Sequence, residues 1–134
     1  MRMNVLLKTE SASVSRQFYE DELAMFKLEG ELWERACSLR ALNDDSFGIQ
    51  LASYFNPPPD LAMPLFSLLV ENCAREFSRL LKTTFASGGR LVPDDNGIVE
   101  MFEYPGGKNF IMEDPSGNRF LIAQDKRVLM EDDL

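Results

Sequence analysis

The sequence predicts an α+β fold built from two consecutive βαβββ halves, and three observations support this. A predicted strand over residues 3–9 precedes a helix that Ser11 is placed to cap. The same order restarts with a strand over residues 65–70 and with Asn72 in the capping position. Between the two halves lie the proline-rich residues 56–60, which cannot form the interior of a sheet or a helix. The repeat is one of element order, because the residue identity between the halves is faint.

In the first half, Val14, Phe18 and Leu23 give the first helix an apolar side, and we expect this helix to run to about residue 24. The apolar runs that follow predict three strands, over residues 26–33, 35–41 and 47–54. A helix with one apolar stripe must pack on a sheet. Each half is therefore expected to be a curved sheet with a helix on its convex side.

The second half has a clear helix signal, because residues recur at helical spacing at Cys73, Phe77, Leu80, Leu81 and Thr84. Gly88-Gly89 is expected to end this helix. The strands that follow are predicted over residues 108–113 and 119–124, with one more over either residues 90–93 or residues 98–103.

The turn between the last two strands is Glu-Asp-Pro-Ser-Gly-Asn, residues 113–118. Asp114 can cap the local backbone, Pro115 presets φ, and Gly117 can adopt a positive φ without a Cβ clash. The sequence therefore predicts a tight β-hairpin at this point.

We expect one structural domain, since 134 residues can bury a core without disulfides or metal. Its four predicted segments are a first module (residues 1–55), a proline-rich linker (56–62), a second module (63–125) and an acidic tail (126–134).

The charge balance limits the partners. A net charge of −8 and a pI near 4.5 argue against nucleic acid or an anionic membrane, and would favour a cationic ligand. No apolar run reaches the length that spans a bilayer, so we expect no membrane segment and a cytoplasmic location. The two cysteines, Cys37 and Cys73, are expected to be reduced and buried.

The chain contains no histidine. This excludes nucleophiles that depend on a histidine base, the HExxH zinc helix and histidine acid–base catalysis. Any catalysis would rest on carboxylates, Lys, Tyr, Cys or backbone groups, and the sequence assigns no catalytic residue.

Three segments resemble the vicinal oxygen chelate superfamily, which contains glyoxalase I, bleomycin-resistance proteins and extradiol dioxygenases. Residues 15–23 are similar to its first-helix pattern of Ser-x-x-Phe-Tyr followed by Leu, residues 70–72 to the start of its second helix, and residues 114–118 to its Asp-Pro-x-Gly-Asn hairpin. The resemblance covers residues 3–124. It implies two U-shaped mixed sheets that enclose a ligand cavity, often across a homodimer.

Enzymes of this superfamily usually bind a divalent metal on the first and last strands of each half. The motifs place those positions at Asn4, Gln50, Leu65 and Leu121. A leucine cannot ligate a metal, and two neutral amides supply no charge to hold a divalent cation. We therefore expect no metal site and no cofactor.

Strand alternation assigns the cavity-facing side chains. These are Asn4, Leu6 and Lys8; Gln50, Ala52 and Tyr54; Leu65, Ser67 and Leu69; and Arg119, Leu121 and Ala123. Trp33 is either a core or dimer-interface residue or a stacking platform for a ligand, and Tyr54 and Phe102 carry the same alternatives. The expected ligand-binding residues are Asn4, Trp33, Gln50, Tyr54, Leu65, Phe102 and Leu121.

These observations predict a metal-independent protein that sequesters or senses an organic ligand, either cationic or aromatic, in a sheet-lined cavity. One alternative is a lyase, isomerase or dioxygenase with an atypical metal site. Another is an interaction module whose cavity is filled by its own side chains.

Overall fold

The computed structural model describes residues 1–33, 35–53, 63–103 and 107–125. The whole predicted linker, the predicted acidic tail and Tyr54 lie outside the described residues, as does the side chain of Trp33. The strands are β1 (Met3–Lys8), β2 (Phe26–Trp33), β3 (Ala36–Ala41), β4 (Phe47–Ala52), β5 (Ser67–Val70), β6 (Arg90–Leu91), β7 (Phe102–Glu103), β8 (Lys108–Glu113) and β9 (Arg119–Gln124). The α-helices are α1 (Ala12–Arg16) and α2 (Cys73–Leu81).

The strands form two mixed sheets. The first sheet has the order β1-β4-β3-β2, and the second has the order β5-β9-β8-β6 with β7 also paired to β8. In each sheet the first strand of the half pairs in parallel with the last, and the other pairs are antiparallel. This arrangement confirms the predicted α+β fold of two similar halves, of which the second has one strand more than the predicted βαβββ order.

Both helix caps are confirmed. The side chain of Ser11 accepts a hydrogen bond from the amide of Val14, and that of Asn72 accepts one from Arg75. Helix α1 continues directly into a π-helical segment, Gln17–Glu22, in which the amide of Leu23 donates to the carbonyl of Phe18. Among the described residues, no helix is long and apolar enough to cross a membrane.

Two predicted boundaries differ from the structure. Helix α2 ends at Leu81 instead of continuing to Gly88, because Lys82 and Thr83 donate three residues back and tighten the last turn. The sequence predicted one strand over either residues 90–93 or residues 98–103, but the structure has a short strand in each of these segments. β6 and β7 pair with opposite ends of β8, so both short strands belong to the second sheet.

The helices and the core-facing sides of both sheets share one apolar core. Phe18 and Tyr19 are both fully buried, although neighbouring residues point about 100° apart on a helix. Both rings contact Phe120 of the second half, at 6.3 and 6.0 Å between centroids. A Cβ on Gly89 would lie 2.3 Å from the Phe18 ring, so this close approach requires glycine. The Phe-Tyr pair of the sequence motif therefore joins the two halves.

The hairpin at residues 114–118 is also confirmed. The carboxylate of Asp114 accepts hydrogen bonds from the amides of Ser116 and Asn118, and Gly117 has φ of +90°. The Tyr19 hydroxyl donates to the other oxygen of Asp114 at 2.8 Å. Burial raises the pKa of Asp114 against the lowering effect of these bonds, and burial and Asp114 raise the pKa of Tyr19. The turn is thus a structural joint between the halves.

Candidate functional site

Each sheet has one face turned away from the core, and alternation places the predicted site residues on those faces. In the first sheet Asn4 is opposite Gly48, and Leu6 is opposite Gln50. In the second sheet Ser67 is opposite Leu121, and the amide of Leu65 donates to the carbonyl of Arg119.

In each half, the two positions predicted for metal ligands are therefore separated by the same distance along the paired strands. Asn4 lies two residues before the partner of Gln50, and Leu65 lies two residues before the partner of Leu121. The donor set at these positions is two amides and two leucines, which does not fit a divalent metal ion. In the described part of the chain, no three Asp, Glu or Cys side chains come together in a way that could hold a metal ion.

An acidic cavity of about 560 Å³ lies between β5 and the β2–β3 end of the first sheet. Its apolar wall is formed by Met25, Phe26, Phe47, Leu68 and Leu69. Its three charged lining residues are all carboxylates, Asp44, Glu71 and Asp125, and the described part of its lining contains no lysine or arginine. This combination of aromatic rings and carboxylates suits an apolar or aromatic ligand that carries positive charge.

A smaller cavity of about 350 Å³ adjoins the acidic cavity and shares Met25 and Glu71 with it. Its lining adds Arg75 and Arg79. Arg79 is held by hydrogen bonds to the carbonyls of Glu22 and Leu23, at 3.4 and 2.7 Å. This cation is therefore engaged with the backbone at the end of the π-helical segment.

A basic cavity of about 480 Å³ lies on the other face of the β2–β3 pair. Adjacent residues of a strand point to opposite faces, so the pair Phe26–Ala41 lines the acidic cavity and the pair Lys27–Arg40 lines the basic one. The basic cavity is lined by Met1, Arg2, Lys27, Glu29, Arg40, Asp45 and Ser46. Arg40 is only 4% exposed.

The predicted ligand-binding residues fall into separate groups. Asn4 and Gln50 share the outer face of the first sheet, and Leu65, Phe102 and Leu121 share the outer face of the second. None of these five lines any of the three cavities. Of the other two predicted residues, Tyr54 lies outside the described residues, and only the backbone of Trp33 is described.

Of the residues that line the two larger cavities, the sequence had assigned Ser67 and Leu69 to a cavity, and the others were missed. Arg40 carried a signal, because it is the one charged residue in the strand Ala36–Ala41 and falls on the outward side of the alternation. Phe26 and Phe47 had no such signal, since an aromatic residue that begins a strand is typical of a core.

The two cysteines are buried and free, as expected. Burial raises the pKa of both thiols, and that of Cys73 reaches about 11. Burial therefore favours the protonated thiol over the thiolate, which is the nucleophilic form of cysteine.

No protein-family model matches the chain, and no curated protein matches it in sequence. Solved structures do match. UcmS2 is 18% identical with a TM-score of 0.70, over 92% of this chain and 96% of that one. TnmS3, an antibiotic-binding protein from Streptomyces sp. CB03234, is 16% identical with a TM-score of 0.68, over 92% and 94%. The chain has the vicinal oxygen chelate fold.

The vicinal oxygen chelate fold does not by itself decide the chemistry. A lactoylglutathione lyase from Agrobacterium tumefaciens also matches, with 13% identity, a TM-score of 0.64 and 95% coverage of both chains. One fold thus includes a binding protein and an enzyme, so function has to be argued from the side chains at the site.

Proposed function

We propose that this protein is a metal-independent small-molecule-binding protein that sequesters or senses an organic ligand, either cationic or aromatic. The main support for this proposal is the acidic cavity. Phe26 and Phe47 offer aromatic surface, while Asp44, Glu71 and Asp125 supply only negative charge. Its volume of about 560 Å³ is within the range of small-molecule sites.

The positive charge near Asn4 argues against a bound metal ion, and so supports a metal-independent function. A Cβ built on Gly48 would lie 2.7 Å from Oδ1 of Asn4 and 2.9 Å from Nη1 of Arg40, so the amide and the guanidinium both approach the same point beside Gly48. Arginine stays positively charged at any physiological pH. A divalent cation at Asn4 would therefore meet a neutral ligand and a permanent neighbouring charge of its own sign.

The outer faces of the sheets are the second part of the proposal. Leu65 is 43% exposed and Leu69 is 52% exposed on the second sheet, and apolar surface of this kind favours contact with another molecule. We propose a homodimer in which a second copy covers the outer face of the second sheet, where Leu65, Phe102 and Leu121 contact ligand or partner. Asn4 and Gln50, on the outer face of the first sheet, are proposed ligand contacts. Ligand contacts by Trp33 and Tyr54 stay predictions. The protonated, buried thiols support a reducing, cytoplasmic setting.

A titration with two planar aromatic dyes of opposite charge tests the proposal. Proflavine, a cation, should bind saturably and change its fluorescence, whereas anilinonaphthalene sulfonate, an anion, should bind the acidic cavity at least about tenfold more weakly. The reason is that every charge the described lining presents to the dye is a carboxylate.

The variant Glu71→Lys should weaken proflavine binding by about tenfold or more, because it reverses a charge on the cavity wall. The matched control is Glu10→Lys, an exposed glutamate that does not line the acidic cavity. Equal proflavine affinities in both variants, or no binding at millimolar dye, would overturn the proposed site.

A further inference from the structure

The outer face of the first sheet carries one polar row that crosses all four strands. Lys27 on β2 is opposite Arg40 on β3, Arg40 is opposite Gly48 on β4, and Gly48 is opposite Asn4 on β1. This row lies on the face away from the helices and away from the acidic cavity.

The guanidinium of Arg40 is only partly satisfied. Its Nε and Nη2 donate to the two carboxylate oxygens of Glu29, the second at 2.9 Å. Its Nη1 is buried and has no hydrogen-bond partner among the described residues. A buried donor on a permanent cation is costly to leave unpaired, so this nitrogen is suited to an acceptor from outside the chain.

The surroundings of this donor favour an anion. Arg2, Lys27 and Arg40 line the basic cavity, and Lys27 makes no ion pair in the described part of the chain. Two carboxylates also face it. Glu29 is engaged by Arg40 and by Arg2, the latter at 2.6 Å, and Asp45 contributes one opposing charge. Three cations therefore outnumber two carboxylates in a chain whose net charge is −8.

Gly48 has no side chain, and the space beside it is already taken by the side chains of Asn4 and Arg40. A Cβ at this position would come within 2.9 Å of Nη1 and 2.7 Å of the Asn4 side-chain oxygen. Asn4 is exposed, so an incoming anion can displace its side chain and reach the guanidinium. The Asn4 amide can then turn its NH₂ group towards the same anion.

We propose that the basic cavity is a second binding site, which takes the carboxylate or phosphate group of a small molecule between Arg40 and Lys27. Asn4, which lies across Gly48 from Arg40, stands at the edge of this site. The site goes beyond the proposed function, because it lies on the opposite face of β2 and β3 from the acidic cavity and selects the opposite charge.

An NMR titration of the full chain with inorganic phosphate and, separately, with naphthoate tests this site. Both anions should shift the backbone amides of Arg40 and Gly48 and the side-chain Nε–H of Arg40. Tighter binding of naphthoate by about tenfold would identify an organic acid as the source of the anion, and equal or tighter binding of phosphate would identify a phosphate group.

The deciding variant is Asn4→Asp, which keeps Arg40 and its bond to Glu29 but places an internal carboxylate beside Nη1. It should weaken the binding of both anions by about tenfold or more. The matched control is Asn96→Asp, which makes the same change at an exposed asparagine that does not line the basic cavity and should stay within about threefold of the parent. Unchanged affinity in Asn4→Asp would overturn the site. So would shifts centred on Arg75 and Arg79 in place of Arg40, or binding only above about 0.1 M anion, which is the range of non-specific ionic screening.

Discussion

The outer faces of the two sheets have the same topology and opposite chemistry. In the first sheet, the polar row runs from Lys27 through Arg40 to Asn4. The second sheet has exposed Leu65 and Leu69 at the corresponding edge. A shared βαβββ order thus positions the two faces equally and leaves their side chains to differ.

The two outer faces are therefore suited to different partners. The buried cation of the first face suits an anionic group, and the apolar second face suits a hydrophobic partner such as a second copy. The acidic cavity lies between the halves and takes residues from both. Fold similarity to binding proteins and to enzymes cannot distinguish these surfaces, so they have to be separated by paired substitutions.

The largest expected effect is on stability, where substitutions of two arginines should differ. Arg40→Met removes a guanidinium bound bidentately to Glu29, and should lower the free energy of unfolding by more than Arg119→Met does, because both hydrogen bonds to Glu29 and the packing of the buried Arg40 side chain are lost. Arg119→Met breaks a more exposed pair with Glu113, which keeps Arg90, and should cost less than about 1 kcal/mol. Urea denaturation measures both, and equal losses would contradict the distinction between the faces.

A smaller effect is expected on the association of two copies of the chain. Leu65→Asp places a charge on the apolar second face and should shift a homodimer towards monomer, raising its dissociation constant by about tenfold or more. The matched variant Leu6→Asp changes a leucine of similar exposure, 42%, on the first face. It should have less effect, because this face is already polar. Size-exclusion chromatography with light scattering measures both, and a monomeric parent at micromolar concentration would refute the dimer.

The smallest expected difference is in the acid response. The hydrogen bond from Arg40 holds the pKa of Glu29 below its ordinary value of 4.5. Burial raises the pKa of Glu113, but hydrogen bonds from Arg90 and Arg119 outweigh this effect and leave that pKa lowered as well. A lowered pKa in the folded state means stability that is present above pH 4.5 and is lost as the pH falls through the folded-state value.

Glu29→Gln and Glu113→Gln should therefore each flatten the loss of stability on acidification, on the first and second face respectively. Urea denaturation between about pH 3 and 6 measures the slope. A variant whose slope equals that of the parent would show that its carboxylate is not held by arginine in solution.

The sequence was sufficient wherever local chemistry decides the structure. Ser11 and Asn72 cap helices because a side-chain oxygen reaches an amide three residues on, and Gly117 permits the turn through its own φ. Alternation also placed Asn4 with Gln50, and Leu65 with Leu121, on the correct faces.

The features that were missed depend on contacts distant in sequence. Glu29 lies at a register shift of β2 between Leu28 and Gly30, and pairing across the sheet brings it to Arg40. The acidic cavity combines Phe26, Phe47 and Glu71 from three separate segments. No local pattern shows that such residues enclose one space.

The proposed function requires that the acidic cavity bind an organic cation without a metal. This can be measured by an NMR titration of proflavine into chelator-treated protein. We expect saturable binding that shifts the amides of Phe26, Phe47 and residues 67–71 and is unchanged by Mn²⁺, Ni²⁺, Zn²⁺ or Fe²⁺. Binding that requires one of these metals, or a metal-induced rise in unfolding temperature that is lost in Asn4→Ala or Gln50→Ala, would contradict it.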